Sequence, residues 1–342
     1  MLEQLLLGTY TRRESKGIYQ TVLDTEKKAL ASTSLIINES SPTYLTLDEK
    51  GELYTVTLVG EEGGVAAYKP IDDQYDLLNK VTEIGAPPCY VSVDEKRQLI
   101  YSASYHEGIV YVFQILPNGQ LKSTDRVVHK EATGPHKNQD KPHVHYTNLT
   151  PDNRLVVCDL GTDRVYTYDV DRTGKLTEVA QYLAEPGCGP RHIVFHPNQQ
   201  IAYLIGELDS SISVLSYDKT NGEFQRLTKV STIPENFDGF NSGAAIRISS
   251  DGQYVYASNR GHNTIAIFET SQEGKRLKRK QLISTEGDFP RDFNLDPSEK
   301  FIVAANQNSD NLTLYERDTQ TGLLKMIQKD VYVPECVCVY FK

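Results

Sequence analysis

The chain contains no tryptophan and only two methionines. It has no apolar run of the ~18 residues that a bilayer-crossing helix needs. Its first residues, MLEQLLLGTYT, lack a basic leader and a small-residue cleavage site, so no signal peptide is expected. Helical periodicity is nearly absent. Basic charge is in short supply, with 36 Lys and Arg against 46 Asp and Glu and a net charge of −10. That excludes a general nucleic-acid binder, which needs a basic surface, but leaves room for a small anion held in a locally positive cleft. The five cysteines (Cys89, Cys158, Cys188, Cys336, Cys338) are odd in number and lack framework spacing. This pattern fits a reducing, cytoplasmic setting. Cys336 and Cys338 stand two apart and read as small residues on one strand face. No G-x-S-x-G elbow, H-E-x-x-H pair or phosphate-cradling glycine loop is present, so neither a covalent nucleophile nor a metal is indicated.

What the chain does have is repetition. Copies open at Pro42, Pro88, Pro142, Pro190, Gly243 and Pro290, with a partial copy at Pro334. The openings fall roughly 50 residues apart, the spacing of four-stranded propeller blades. Each copy runs as an alternating apolar segment, a polar Asp/Gly/Asn turn and a second alternating segment, as in PRHIVFHPNQQIAYLIGE and GAAIRISSDGQYVYASNR. In the fourth copy, strands A to D are predicted at 191–196, 201–205, 212–218 and 224–232. The end PECVCVYFK supplies only a strand A, and the start supplies B, C and D in LLLGTY, GIYQTVLD and ALASTSLIIN. The expected fold is therefore all-β: a seven-bladed propeller of four-stranded antiparallel blades, closed by the C-terminal strand pairing with three N-terminal strands. Residues 1–342 are expected to form one domain, because proline and glycine are spread as turn punctuation rather than clustered into linkers. The absence of tryptophan and of a Gly-His…Trp-Asp pattern argues against the WD-repeat type.

In an antiparallel meander the start of strand A and the end of strand B share one end. That rule gathers Tyr10, Cys89, His106, His143, His145, Asp159, Asp163, Arg191, Glu207, Asp209, Asn259, Arg260, His262, Arg291, Asn306, Asn308, Asp310 and Glu335 at one mouth. Arg191 and Arg291 each follow a strand-opening proline, and Arg260 lies in a neighbouring B–C loop. Arginine suits forked binding of phosphate or carboxylate. The bland alternative pairs each arginine with a neighbouring acid such as Glu207 or Asp292. Glu207 is a candidate general base. Asp163, Asp209 and Asp310 read as turn chemistry. Of the histidines, His143 comes first as an acid–base group by its equivalence to Arg191, with His145 in reserve. Four histidines in HKEATGPHKNQDKPHVH fit no zinc spacing. Asn259 and Asn306 complete the candidate binding set.

The stretches PHVHYTNLTPDNRLVVCDLGTDRVYTYDVD, GPRHIVFHPNQQIAYLIGELDSSISVLSYD, DGQYVYASNRGHNTIAIF and PRDFNLDPSEKFIVAANQNSDNLTLYERDTQTG resemble the seven-bladed propeller lactonases, nearly end to end. That family includes the bacterial propeller-type 6-phosphogluconolactonases and the fungal carboxy-cis,cis-muconate cyclases. The resemblance implies hydrolysis of 6-phospho-D-glucono-1,5-lactone in the oxidative pentose phosphate route, without metal or organic cofactor. It implies site roles for His143 or His145, Arg191, Glu207 and Arg260. One departure stands out: Ala245 and Arg247 occupy positions where many relatives carry an acid and a histidine. The rival readings are a muconate-type cyclase and a non-catalytic interaction scaffold. The expected partner is an anionic sugar lactone, with no nucleic acid or membrane, and the protein is expected to be a monomer or weak homo-oligomer.

Overall fold

The computed structural model describes residues 1–72 and 74–342, and among these no helix occurs. No helix is therefore long and apolar enough to cross a membrane. Seven antiparallel sheets account for the regular structure. The chain divides into two compact units.

One unit comprises Ile36–Arg191 and Asp218–Phe224. It holds three four-stranded meanders. Their strands run Leu45–Leu47, Leu53–Val59, Glu62–Ile71 and Gln74–Ile84; Tyr90–Asp94, Leu99–Ser104, Ile109–Ile115 and Leu121–Val128; and Val144–Leu149, Leu155–Asp159, Arg164–Val170 and Leu176–Leu183. The first two sheets of this unit pack through Tyr54, Val56 and Val65 against Val91, Ile100, Ile109 and Phe113, all buried. Each such side chain contributes about 1.5–3 kcal/mol on removal from water.

The other unit comprises Met1–Leu35, His192–Tyr217 and Gln225–Lys342. Two meanders lie wholly within it: Ser242–Ile248, Tyr254–Arg260, Thr264–Ser271 and Arg276–Ser284, then Pro290–Leu295, Phe301–Asn306, Asn311–Arg317 and Leu324–Tyr332. Its third sheet is composite. Cys336–Phe341 pairs with Leu2–Thr9, which pairs with Gly17–Asp24. The fourth strand expected there is broken into Ala29–Leu30 and Ser34–Asn38, both paired to Gly17–Asp24. The remaining meander of the chain runs Pro190–Phe195, Ile201–Gly206, Ser211–Asp218 and Glu223–Ser231, within a residue or two of the bounds read from sequence.

Two repeated devices fix the loops. The B–C turn ends on a left-handed residue in five sheets: Gly108, Asp163, Ser210, Asn263 and Asp310, with φ between 54° and 63°. The carbonyl of each accepts the N–H of the residue that follows strand D of the same sheet: His129, Ala184, Thr232, Thr285 and Val333, at 2.8–3.0 Å. The second device uses buried tyrosines. Tyr203 Oη donates to Gly274 O at 2.8 Å, and Tyr256 Oη to Gly322 O at 2.9 Å. Gly322 is required on two counts: φ is +69°, and a Cβ would lie 2.2 Å from Tyr254 Cδ1.

Candidate active site

The registers confirm that strand A begins where strand B ends. Ser242 faces Arg260, Pro290 faces Asn306 and Val144 faces Asp159. At this end, strand A carries a β-bulge. The ladder skips His145 between Val144 and Tyr146, Ala244 and Ala245 between Gly243 and Ile246, and Arg291 between Pro290 and Asp292. Bulges re-aim a side chain without ending the pairing. They also correct one inference from sequence. Since Val144 and Pro290 occupy the same register position, the residue matching Arg291 is His145, not His143.

Arg260 ends its strand with its side chain buried at 5% exposure. Its Nη2 lies 2.7 Å from Glu207 Oε2 and donates to Ser242 Oγ at 2.7 Å and Gly243 O at 2.8 Å. Burial pulls its pKa below the ordinary value, Glu207 raises it, and Arg291 lowers it further. Its Nε is buried with no hydrogen-bond partner among the described residues. The guanidinium carbon lies 5.3 Å from the centre of the Phe289 ring. Tyr10 is flanked by Arg12 at 3.9 Å and Arg291 at 5.5 Å. The same unit thus sets three arginines, a carboxylate and two aromatic rings at the strand A/strand B end of its sheets. Asp292 is engaged by other groups. It takes Arg247 Nη2 at 2.8 Å and the Val339 N–H at 2.9 Å. Arg247, at the departure from the family pattern, is therefore tied to a buried acid, and the Ala245 N–H donates to Ser258 Oγ.

In the other unit His143 is buried. Its Nδ1 lies 2.8 Å from Tyr105 O and its Nε2 2.9 Å from Asp140 Oδ1. Its ring stacks on Tyr105 with centroids 4.2 Å apart, and His145 meets the same tyrosine edge-on at 5.8 Å. Arg191 is buried at 2% exposure. His129 is held by Asp159 and Tyr168, and His136 by its loop. Among the described residues no three His, Cys, Asp or Glu side chains gather as a metal would need.

Several residues placed at this end from sequence are loop organisers. Asp159 Oδ1 accepts the N–H groups of His143, Gly161 and Thr162. Asp163 accepts those of Gly187 and Gly189, and Glu335 those of Arg12, Arg13 and Ser15. Asn259 is engaged by Thr232, Asn241 and Thr264, and the Asn306 amide donates to Thr285 O and Thr313 Oγ1. Asp209 pairs with Lys229. Arg12 and Phe289 were missed. Neither belongs to a residue-type motif repeated in the sequence, and only the spatial proximity of Tyr10 and Arg260 marks them.

Sheet count and topology define a propeller of antiparallel four-stranded blades. Residues 4–341 match the family described as lactonase, 7-bladed beta-propeller, and the chain belongs to that family. Its fold is a seven-bladed β-propeller. Among its relatives, a 6-phosphogluconolactonase of Bacillus subtilis (strain 168) is 43% identical over 339 residues, 98% of this chain and 97% of that one. A solved structure of a protein from Lactobacillus plantarum is 51% identical, with a TM-score of 0.99 over 100% of both chains. The periplasmic gluconolactonase PpgL of Pseudomonas aeruginosa, 27% identical, has a TM-score of 0.92 over 100% of this chain and 99% of that one.

Proposed function

We propose that this protein is a 6-phosphogluconolactonase that adds water to 6-phospho-D-glucono-1,5-lactone to give 6-phosphogluconate. The observation that carries the reading is the buried Glu207–Arg260 pair, with Arg291 beside it, in a chain of the lactonase family. The Bacillus subtilis relative supports the phosphorylated substrate.

In this reading a water oxygen attacks the lactone carbonyl carbon, and Glu207 takes its proton as general base. Arg260 stabilises the negative charge that develops on the carbonyl oxygen. The ring C–O bond then breaks, the ring oxygen takes a proton to become a hydroxyl, and the acid ionises. Arg291 is assigned to the phosphate, as a forked donor suited to it. Within the other unit, His145 comes before His143 as the histidine candidate for acid–base work. His145 shares the bulge position of Arg291, whereas both ring nitrogens of His143 face acceptors. Asn259 and Asn306 act by holding the loops. We place the reaction in the cytoplasm, a site supported by an odd number of cysteines without framework spacing.

The test is a continuous assay on freshly generated lactone, corrected for spontaneous opening. Acceleration lost in Glu207→Gln supports the reading, and a rate no faster than background overturns it.

A further inference from the structure

Phe289 has φ of +66°, the left-handed region. A bulky side chain there is costly, of order 1–3 kcal/mol. The position recurs in the repeats. Gly189, Phe289 and Glu335 all have positive φ and immediately precede a strand A. Each donates its N–H to the side chain of the left-handed residue ending a B–C turn: Asp163 at 2.8 Å, Asn263 at 3.0 Å and Asp310 at 2.7 Å.

Gly189 shows that this latch needs no side chain and is met most cheaply by glycine. Glu335 has an evident use for its side chain, since the carboxylate collects three backbone N–H groups. Phe289 meets no such backbone need. Its ring is half-buried and lies over the Arg260 guanidinium, 5.3 Å from the central carbon.

We infer that Phe289 is a positioning residue of the anion site: its ring covers one face of Arg260, so that an anionic sugar ligand meets the guanidinium at its edge, out of competing water. The ring's negative face attracts the cation. It also fixes the plane of a fork whose Nη2 is already committed to Glu207, Ser242 and Gly243. Backbone strain at this residue is then retained for the sake of Arg260. This inference rests on the lactonase reading for its substrate, but not for its geometry.

The experiment compares wild type with Phe289→Gly and Phe289→Tyr, following Tm, KM and kcat on 6-phosphogluconolactone and Kd for 6-phosphogluconate. In Phe289→Gly, relieved strain and the greater freedom of the unfolded chain oppose each other. Tm should therefore stay within about 4 °C, while KM rises roughly tenfold, the scale of a desolvated cation–π contact. Turnover number should change less than KM, and Phe289→Tyr should behave as wild type. A KM within threefold of wild type in the glycine variant overturns the inference. So does a fall in Tm beyond about 4 °C, which would make the ring a structural prop. A wild type that binds 6-phosphogluconate without hydrolysing the lactone sinks the proposed function, and Kd then decides the role of Phe289 by the same tenfold criterion. A wild type that binds neither overturns both.

Discussion

Replacing Glu207 by glutamine separates the two duties its carboxylate would perform. The Glu207 Oε2 to Arg260 Nη2 distance is 2.7 Å, with side chains 14% and 5% exposed. Removing one member of a buried pair typically costs 3–5 kcal/mol, because the remaining charge is stranded. Here the amide oxygen still accepts a hydrogen bond, and Ser242 and Gly243 still take Nη2. A loss of about 2–3 kcal/mol is therefore expected. At roughly 2.1 cal/mol/K per residue, this lowers Tm by only about 3–4 °C for a chain of 342 residues. Activity should fall much further, by ~10²–10⁴-fold, as for other lost general bases. The double variant Glu207→Gln/Arg260→Met removes the stranded charge. It should regain stability relative to Glu207→Gln while remaining inactive. Calorimetry and the lactone assay on the same preparations give both numbers. Activity in Glu207→Gln within threefold of wild type would refute the base assignment, whatever happens to Tm.

Deleting residues 334–342 should leave Leu2–Thr9 with an open edge, causing aggregation or a large loss of Tm, whereas the full chain should melt in one transition as a single domain. An unchanged Tm on truncation would defeat the closure argument. Gly322→Ala should cost more than the ~1–2 kcal/mol of a left-handed alanine, because its Cβ also meets Tyr254 at 2.2 Å; urea titration measures this. Burial, then the charge of Asp296, raises the Glu3 carboxyl above its ordinary pKa. A raised folded-state pKa means that stability is lost as pH rises through it. Glu3→Gln should therefore raise Tm at pH 7, with the gain vanishing below about pH 4; a gain independent of pH would show another cause. His145→Ala should lower turnover by ~10²–10⁴-fold and His143→Ala less, while chelation leaves wild type unaffected; the reverse order would return the role to His143.

The strands were readable because outer strands that bury one face alternate, inner ones such as Leu99–Ser104 are buried throughout and read as short apolar runs, and the turns carry their own chemistry, as PNQQ does between Phe195 and Ile201. Pairing of the chain ends was readable from complementary half-repeats. The split strand at 29–38 was not, since ALASTSLIIN alternates well enough to pass as one. The Glu207–Arg260 contact was open as one of two outcomes. Arg247 capturing Asp292 was not foreseen, because a skipped ladder position shifts which side chains meet and leaves no compositional trace. Phe289 was invisible for a related reason: a backbone angle, not a residue type, singles it out.

The bulge at the start of strand A has a bearing on how such a protein can change. A residue outside the ladder makes no cross-strand pair, so its identity is set by what packs around it and not by a partner on the next strand. The sheets here fill that place with His145, with Ala244 and Ala245, with Arg291, and with Val337 in the composite sheet, which span a base, two small groups, a cation and an aliphatic. Each is a socket outside the ladder, and since His145, Ala244, Ala245 and Val337 are buried, the packing around it decides which side chains it can hold. Replacing Ala245 by an acid or a histidine would test how freely that socket accepts new chemistry, and a chain built from repeats offers the same freedom several times over.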